Sequence, residues 1–167
     1  MSAFDPAGFA TALPLTEGLL TWTQRQSPDT WHEIARMADF AAPGATIDLL
    51  LALHWISQHP ACDRATALLI LTRAAEAGLQ GRDCPDQMAP KAAKAFCKAL
   101  YKALRTDGFA QKTLALTSAD LVAIDAQLGP DGAFPLTPAQ RRSPGTSPHH
   151  PACDFARQRP VMRPLAA

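Results

Sequence analysis

The pentapeptide H-P-A-C-D occurs twice in this chain, at His59–Asp63 and again at His150–Asp154. Each copy sets a histidine three residues before a cysteine. Together His59, Cys62, His150 and Cys153 offer two imidazoles and two thiols, a proper donor set for a tetrahedral structural zinc. The spacing and context speak against it. His-x-x-Cys is not the Cys-x-x-Cys knuckle, the halves lie far apart, and L-H-W-I-S-Q precedes the first copy while G-T-S-P precedes the second. Turn chemistry accounts for the first copy without a ligand. Trp55 and Ile56 end one helix, and His59 sits in or just past its last turn, where a cation suits the dipole. Pro60 stops that helix, Cys62 fills space as a small apolar residue, and Asp63 caps the next helix. The same logic gives Asp154 as a cap for a short stretch that Pro160 ends. No metal and no other cofactor is expected.

Other arrangements that could carry chemistry are missing from the sequence. No serine or cysteine stands in a glycine-flanked nucleophile elbow, neither phosphate-cradling glycine motif occurs, and no acidic run has calcium-loop spacing. His32 and Glu33 are adjacent, so on a helix they point apart. His54 lies on an otherwise apolar helix and reads as a buried histidine with a backbone or carboxylate partner. Cys97 stands between Lys94 and Lys98 and reads as a packed thiol rather than an activated one. The reading is therefore non-enzymatic.

One charge pattern remains. Lys91, Lys94, Lys98, Lys102 and Arg105 follow at steps of three, four, four and three, which draws one basic stripe along a helix. Phe96, Leu100 and Leu104 supply an apolar side to the same helix. The formal net charge of +1 conceals an asymmetry. Residues 1–90 hold five arginines, no lysine and ten acids, residues 91–129 hold six bases against three acids, and residues 130–167 hold five arginines against two aspartates. Such a stripe could meet the acidic front of its own chain, an acidic protein, phosphates or an anionic surface. Tyr101 and Phe96 are its only aromatics, poor provision for base stacking. A protein partner is thus expected ahead of nucleic acid.

The elements that must position these residues are helical. The chain has 167 residues, two valines and one tyrosine, and the apolar residues recur with helical period nearly throughout. Six helices are expected, with no strand. The first runs in L-T-E-G-L-L-T-W-T-Q-R-Q, with Leu15, Leu19 and Trp22 on one face. The second starts at Ser27 as cap, with Pro28 in its first position. The segments I-D-L-L-L-A-L-H-W-I-S and T-A-L-L-I-L-T-R-A, apolar on nearly all sides, are expected to form the central antiparallel pair. Gly78, Gly108 and Gly129 close the last three helices, and Ser118 caps the sixth. Eight of the 15 prolines fall in residues 130–167. The expected organisation is a compact all-α bundle over residues 1–129, followed by a Pro/Arg-rich tail, mobile or surface-draped, that adds little core. Thr137–Pro138 is marked as a possible single helical turn within that tail.

The segment from W-H-E-I-A-R-M-A-D-F to I-S-Q-H-P-A-C-D-R-A-T-A-L resembles a small bacterial helical domain family of unknown function. Trp31, His32, Ile34 and Ala35 match its first helix, and Trp55, Ile56, Pro60, Cys62, Asp63, Thr66, Ala67 and Leu68 match its W-I-x(3)-P-x-C-D-x-x-T-A-L motif. The match covers about residues 30–75. The intervening loop departs from the family, with F-A-A-P-G-A-T in place of an acidic stretch. The resemblance implies a helical fold and a neighbourhood of toxin–immunity systems, hence a toxin-antagonist role. Asp63, Pro60, Thr66 and Trp55 read as architecture, with Thr66 bonding the backbone locally. The chain shows no charged leader and no apolar run long enough to span a bilayer, so a cytoplasmic, protein-binding module is the expectation.

Overall fold

In a computed structural model of the chain, residues 18–40, 47–81 and 90–148 are described. They form six helices: α1 (Leu19–Gln24), α2 (Pro28–Met37), α3 (Ile47–Gln58), α4 (Arg64–Glu76), α5 (Pro90–Arg105) and α6 (Ser118–Leu128). Among the described residues there is no strand. Two isolated bridges pair extended backbone there, Asp63 with Gln111 and Leu114 with Ser147. The architecture is a compact all-α bundle.

α4 is its axis. Residues 64–72 are buried without interruption, Ala74 and Ala75 follow, and the helix packs against α2, α6, α5 and α3. Its packing on α2 is the most extensive and its packing on α3 is light, because α3 lies mainly on α1. The central pair is therefore α2 and α4, not α3 and α4. Apolarity on all sides marked α3 as central, yet Leu51 and His54 face outward.

The ends of the helices follow from local chemistry, with two shifts from the sequence reading. Ser27 caps α2 by accepting from the Thr30 amide, and Pro28 occupies the first turn. α6 is capped by Thr117 rather than Ser118. The Thr117 hydroxyl accepts from the Asp120 amide and the Asp120 carboxylate accepts from the Thr117 amide, a reciprocal capping box. α5 ends before Gly108. Asp107 takes the left-handed conformation (φ 55°), and the Gly108 amide bonds back to the Ala103 carbonyl. Gly78 does the same work for α4, with φ 68° and the Leu79 amide on the Ala74 carbonyl.

Residues 130–148 correct the expectation of a tail with little core. Phe134 and Leu136 belong to the central apolar cluster. The Leu136 amide bonds the Leu128 carbonyl, and the Tyr101 hydroxyl donates to the Pro135 carbonyl. Further along, Ser147 exchanges two backbone hydrogen bonds with Thr113 and Ala115, and Gly145 lies so close to the backbone of Thr113 and Leu114 that no Cβ fits. At Thr137, the hydroxyl accepts from the Gln140 amide and the carbonyl from the Arg141 amide, a single hydrogen-bonded turn. Prolines ruled out a regular helix here but not a strap held by side chains and isolated backbone bonds. Leu15 and the second H-P-A-C-D copy lie outside the described residues.

Candidate functional site

α5 is made of good helix formers, and its two sides differ sharply. Ala93, Phe96, Cys97, Leu100 and Leu104 are buried against the bundle. Lys91, Lys94, Lys98, Lys102 and Arg105 are all exposed on the other side. Fourteen residues separate the ends of the stripe, which is about 20 Å of helix edge.

The counter-charges decide what this edge can do. Elsewhere among the described residues, six basic side chains reach carboxylates. Arg36 meets Glu33 and Asp120, Arg64 and Lys112 meet Asp107, Arg73 meets Glu76, and Arg141 and Arg142 share Asp125. The Lys112 hydrogen bond, foremost, holds the Asp107 carboxyl below the usual carboxylate range. The Arg142 hydrogen bond does the same for Asp125. Asp120 is also lowered: desolvation raises it, but hydrogen bonds from Thr117 and the Arg36 charge outweigh that burial. Along α5 there is no such pairing. Among the described residues Lys91, Lys94, Lys98 and Lys102 reach no carboxylate, and Arg105 lies over the Tyr101 ring at 5.6 Å.

The stripe ends at a feature that the spacing did not signal. Arg105 lines a cleft of about 290 Å³ together with Arg64, Asp107, Lys112, Gln140 and Arg142. Arg64 forms its floor, 5 % exposed. Its guanidinium donates to the carbonyls of Leu104, Gln140 and Arg142 and to Asp107, so it ties the end of α5 to the 139–144 strap. The sequence signal was only an arginine next to a capping aspartate, which gives no hint that it is buried.

The first H-P-A-C-D copy is a connector. The His59 Nδ1 accepts from the Ala61 amide at 3.1 Å, which in the neutral ring places the proton on Nε2. Its imidazole packs against Trp31 and Trp55 at 4.8 and 5.0 Å. The Cys62 thiol is buried and pushed up to about 12, by burial first and by the Asp63 charge second. Asp63 does more than cap. One oxygen accepts from the Ala65 amide at 2.8 Å. The other accepts from the Thr113 amide, the Thr113 hydroxyl and the Leu114 amide. Among the described residues no three metal-ligating side chains converge. His150 and Cys153 lie outside those residues.

Two further readings are corrected. His54 is exposed, not buried, with its ring edge-on to Phe96 at 5.6 Å, because it falls on the outward side of α3. Thr66 does not bond its own backbone. Its hydroxyl meets Nδ1 of the buried His32 at 2.9 Å and pins α2 to α4. Cys97 is fully buried. No helix of the described residues is long and apolar enough to cross a membrane. No protein-family model, curated protein or solved structure matches the chain.

Proposed function

We propose that this chain is a non-enzymatic, protein-binding module that docks an acidic protein partner along the exposed edge of α5. One observation carries the reading: among the described residues Lys91, Lys94, Lys98 and Lys102 reach no carboxylate and lie along a single helix edge, while Arg36, Arg64, Arg73, Lys112, Arg141 and Arg142 are matched within the fold. A row of unneutralised cations is a steering and register device for a partner of opposite sign. The toxin-antagonist role implied by the resemblance at residues 30–75 is one instance of such docking, in a cytoplasmic setting.

Nucleic acid is the rival for this edge. The one aromatic that could present a ring there, Tyr101, is engaged with Phe134 at 5.4 Å, with Arg105 above it and its hydroxyl on Pro135. That favours protein. Binding of generic duplex DNA and single-stranded RNA, measured across a salt series for wild type and for Lys94→Glu/Lys102→Glu, separates the two. The expected result is weak nucleic-acid binding, little changed by the double reversal. Tight binding with a steep salt slope, abolished by the reversal, would reject the protein-partner reading.

A further inference from the structure

An aspartate followed by glycine carries a chemistry of its own. The glycine amide nitrogen attacks the side-chain carboxyl carbon, because no Cβ on the glycine stands in the way. An N–Cγ bond forms, the Cγ–OH bond breaks, and the amide proton leaves with the hydroxyl as water. The resulting succinimide takes up water again. Opening at the side-chain carbonyl restores aspartate. Opening at the main-chain carbonyl leaves isoaspartate, with the chain running through the β-carboxyl. Water is the only co-reactant, and nothing is oxidised or reduced. The chain has no asparagine, and aspartate precedes glycine only at Asp107–Gly108 and Asp131–Gly132.

The two pairs meet different surroundings. At Asp107 both halves of the reaction are held. One carboxylate oxygen accepts from Arg64 and the other from Lys112. The Lys112 bond foremost keeps the carboxyl ionised, so the neutral form that releases water is scarce. The Gly108 amide is spent on the Ala103 carbonyl at 2.9 Å, the bond that closes α5. Freeing it opens the end of that helix and the Arg64 network that ties in the 139–144 strap.

At Asp131 the carboxyl is not held. The residue is exposed, and among the described residues its side chain reaches no cation and no hydrogen-bond donor. It lies in the turn Gly129–Gly132, closed by one bond of 3.0 Å from the Gly132 amide to the Gly129 carbonyl. Pro130 and Ala133 on either side are exposed as well. Breaking one turn bond at the surface frees the nucleophile, and such local openings are the least costly a folded chain makes.

We propose that Asp131 is a site of spontaneous isoaspartate formation in the folded chain, and that Asp107 is shielded from it. The change adds a carbon to the main chain beside Gly132, which already lies so close to the Gln127 carbonyl that no Cβ fits. It therefore crowds the turn that leads from α6 to Phe134 and Leu136 in the core. The proposal is independent of the α5 docking edge.

Incubation of the wild-type chain at physiological pH and temperature for several weeks, followed by peptide mass spectrometry with electron-transfer fragmentation, tests it. Isoaspartate is expected in the peptide holding Asp131, at about threefold or more the rate in the peptide holding Asp107. In urea, where both pairs lose their surroundings, the two rates should converge. Asp131→Glu, an exposed change that needs a larger, slower-closing ring for the same attack, should abolish the product there. Absence of isoaspartate at Asp131, equal rates at the two sites in the folded chain, or the same ratio of rates folded and in urea overturns the proposal.

Discussion

Asp63 does the most with one side chain. Its carboxylate accepts four hydrogen bonds, from Ala65 at the start of α4 and from Thr113 and Leu114 fifty residues on. The capping half was legible, because an aspartate before an apolar helical run is a cap signal. The other half was not, since nothing local to Asp63 announces that Thr113 lies beside it. Asp63→Ala strands buried amides as well as uncapping α4, so it should cost about 2–4 kcal/mol, more than a cap alone. Urea denaturation checks this, and a loss of only ~1 kcal/mol would return Asp63 to a simple cap. Its neighbour Cys62, with a thiol raised to about 12, holds almost no thiolate at pH 8. Peptide-level mass spectrometry after iodoacetamide treatment should find Cys62 modified only in denatured protein. At acid pH the sign is also set. The folded-state carboxyl of Asp120 is lowered, so its stabilisation is complete above the ordinary value of 3.8 and is lost as pH falls through the depressed value. Asp120→Asn should flatten the acid limb of a stability–pH profile below pH 3.8, and an unchanged limb would remove Asp120 from the account.

At the scale of elements, apolar periodicity located all six helices, and the errors lie at their ends and neighbours. Thr117 and Ser118 are both competent caps by type, and only the reciprocal bond with Asp120 chooses between them. At the end of α5 the sequence offered Gly108 as the stop, yet Asp107 takes the left-handed position, held by Lys112 and Arg64. Gly78 was read as a stop and takes that conformation itself. Gly78→Ala should therefore cost about 1 kcal/mol, read from the shift of the denaturation midpoint at unchanged slope. Side-by-side packing was harder to read than helix content. α3 and α4 are both apolar on all sides, and composition alone cannot say which is enclosed. The stripe on α5 was legible from spacing. Its lack of counter-charges among the described residues was not, because pairing is decided by which carboxylates the fold brings near.

At the scale of the whole molecule, the chain distributes its charges unevenly after folding as well as before. Carboxylates at 107, 120 and 125 clamp arginines and a lysine that join α2, α4, α6 and the 139–144 strap, and among the described residues the lysines of α5 are left without a carboxylate. The strap is part of this arrangement. Cutting the chain after Gly129 removes Phe134 and Leu136 from the core, two carbonyl acceptors from Arg64 and both arginine partners from Asp125, so the truncated protein should lose several kcal/mol. A denaturation midpoint equal to wild type would show that residues 130–148 are dispensable. The central claim concerns α5, and a direct measurement is NMR titration of the isotope-labelled chain with a four-turn, glutamate-rich helical peptide at low salt. The account predicts saturable shifts concentrated in residues 91–105 and around the Arg105 cleft, suppressed by added salt and by Lys94→Glu/Lys102→Glu. Shifts spread evenly over the surface, or centred on another helix with α5 silent, would contradict it.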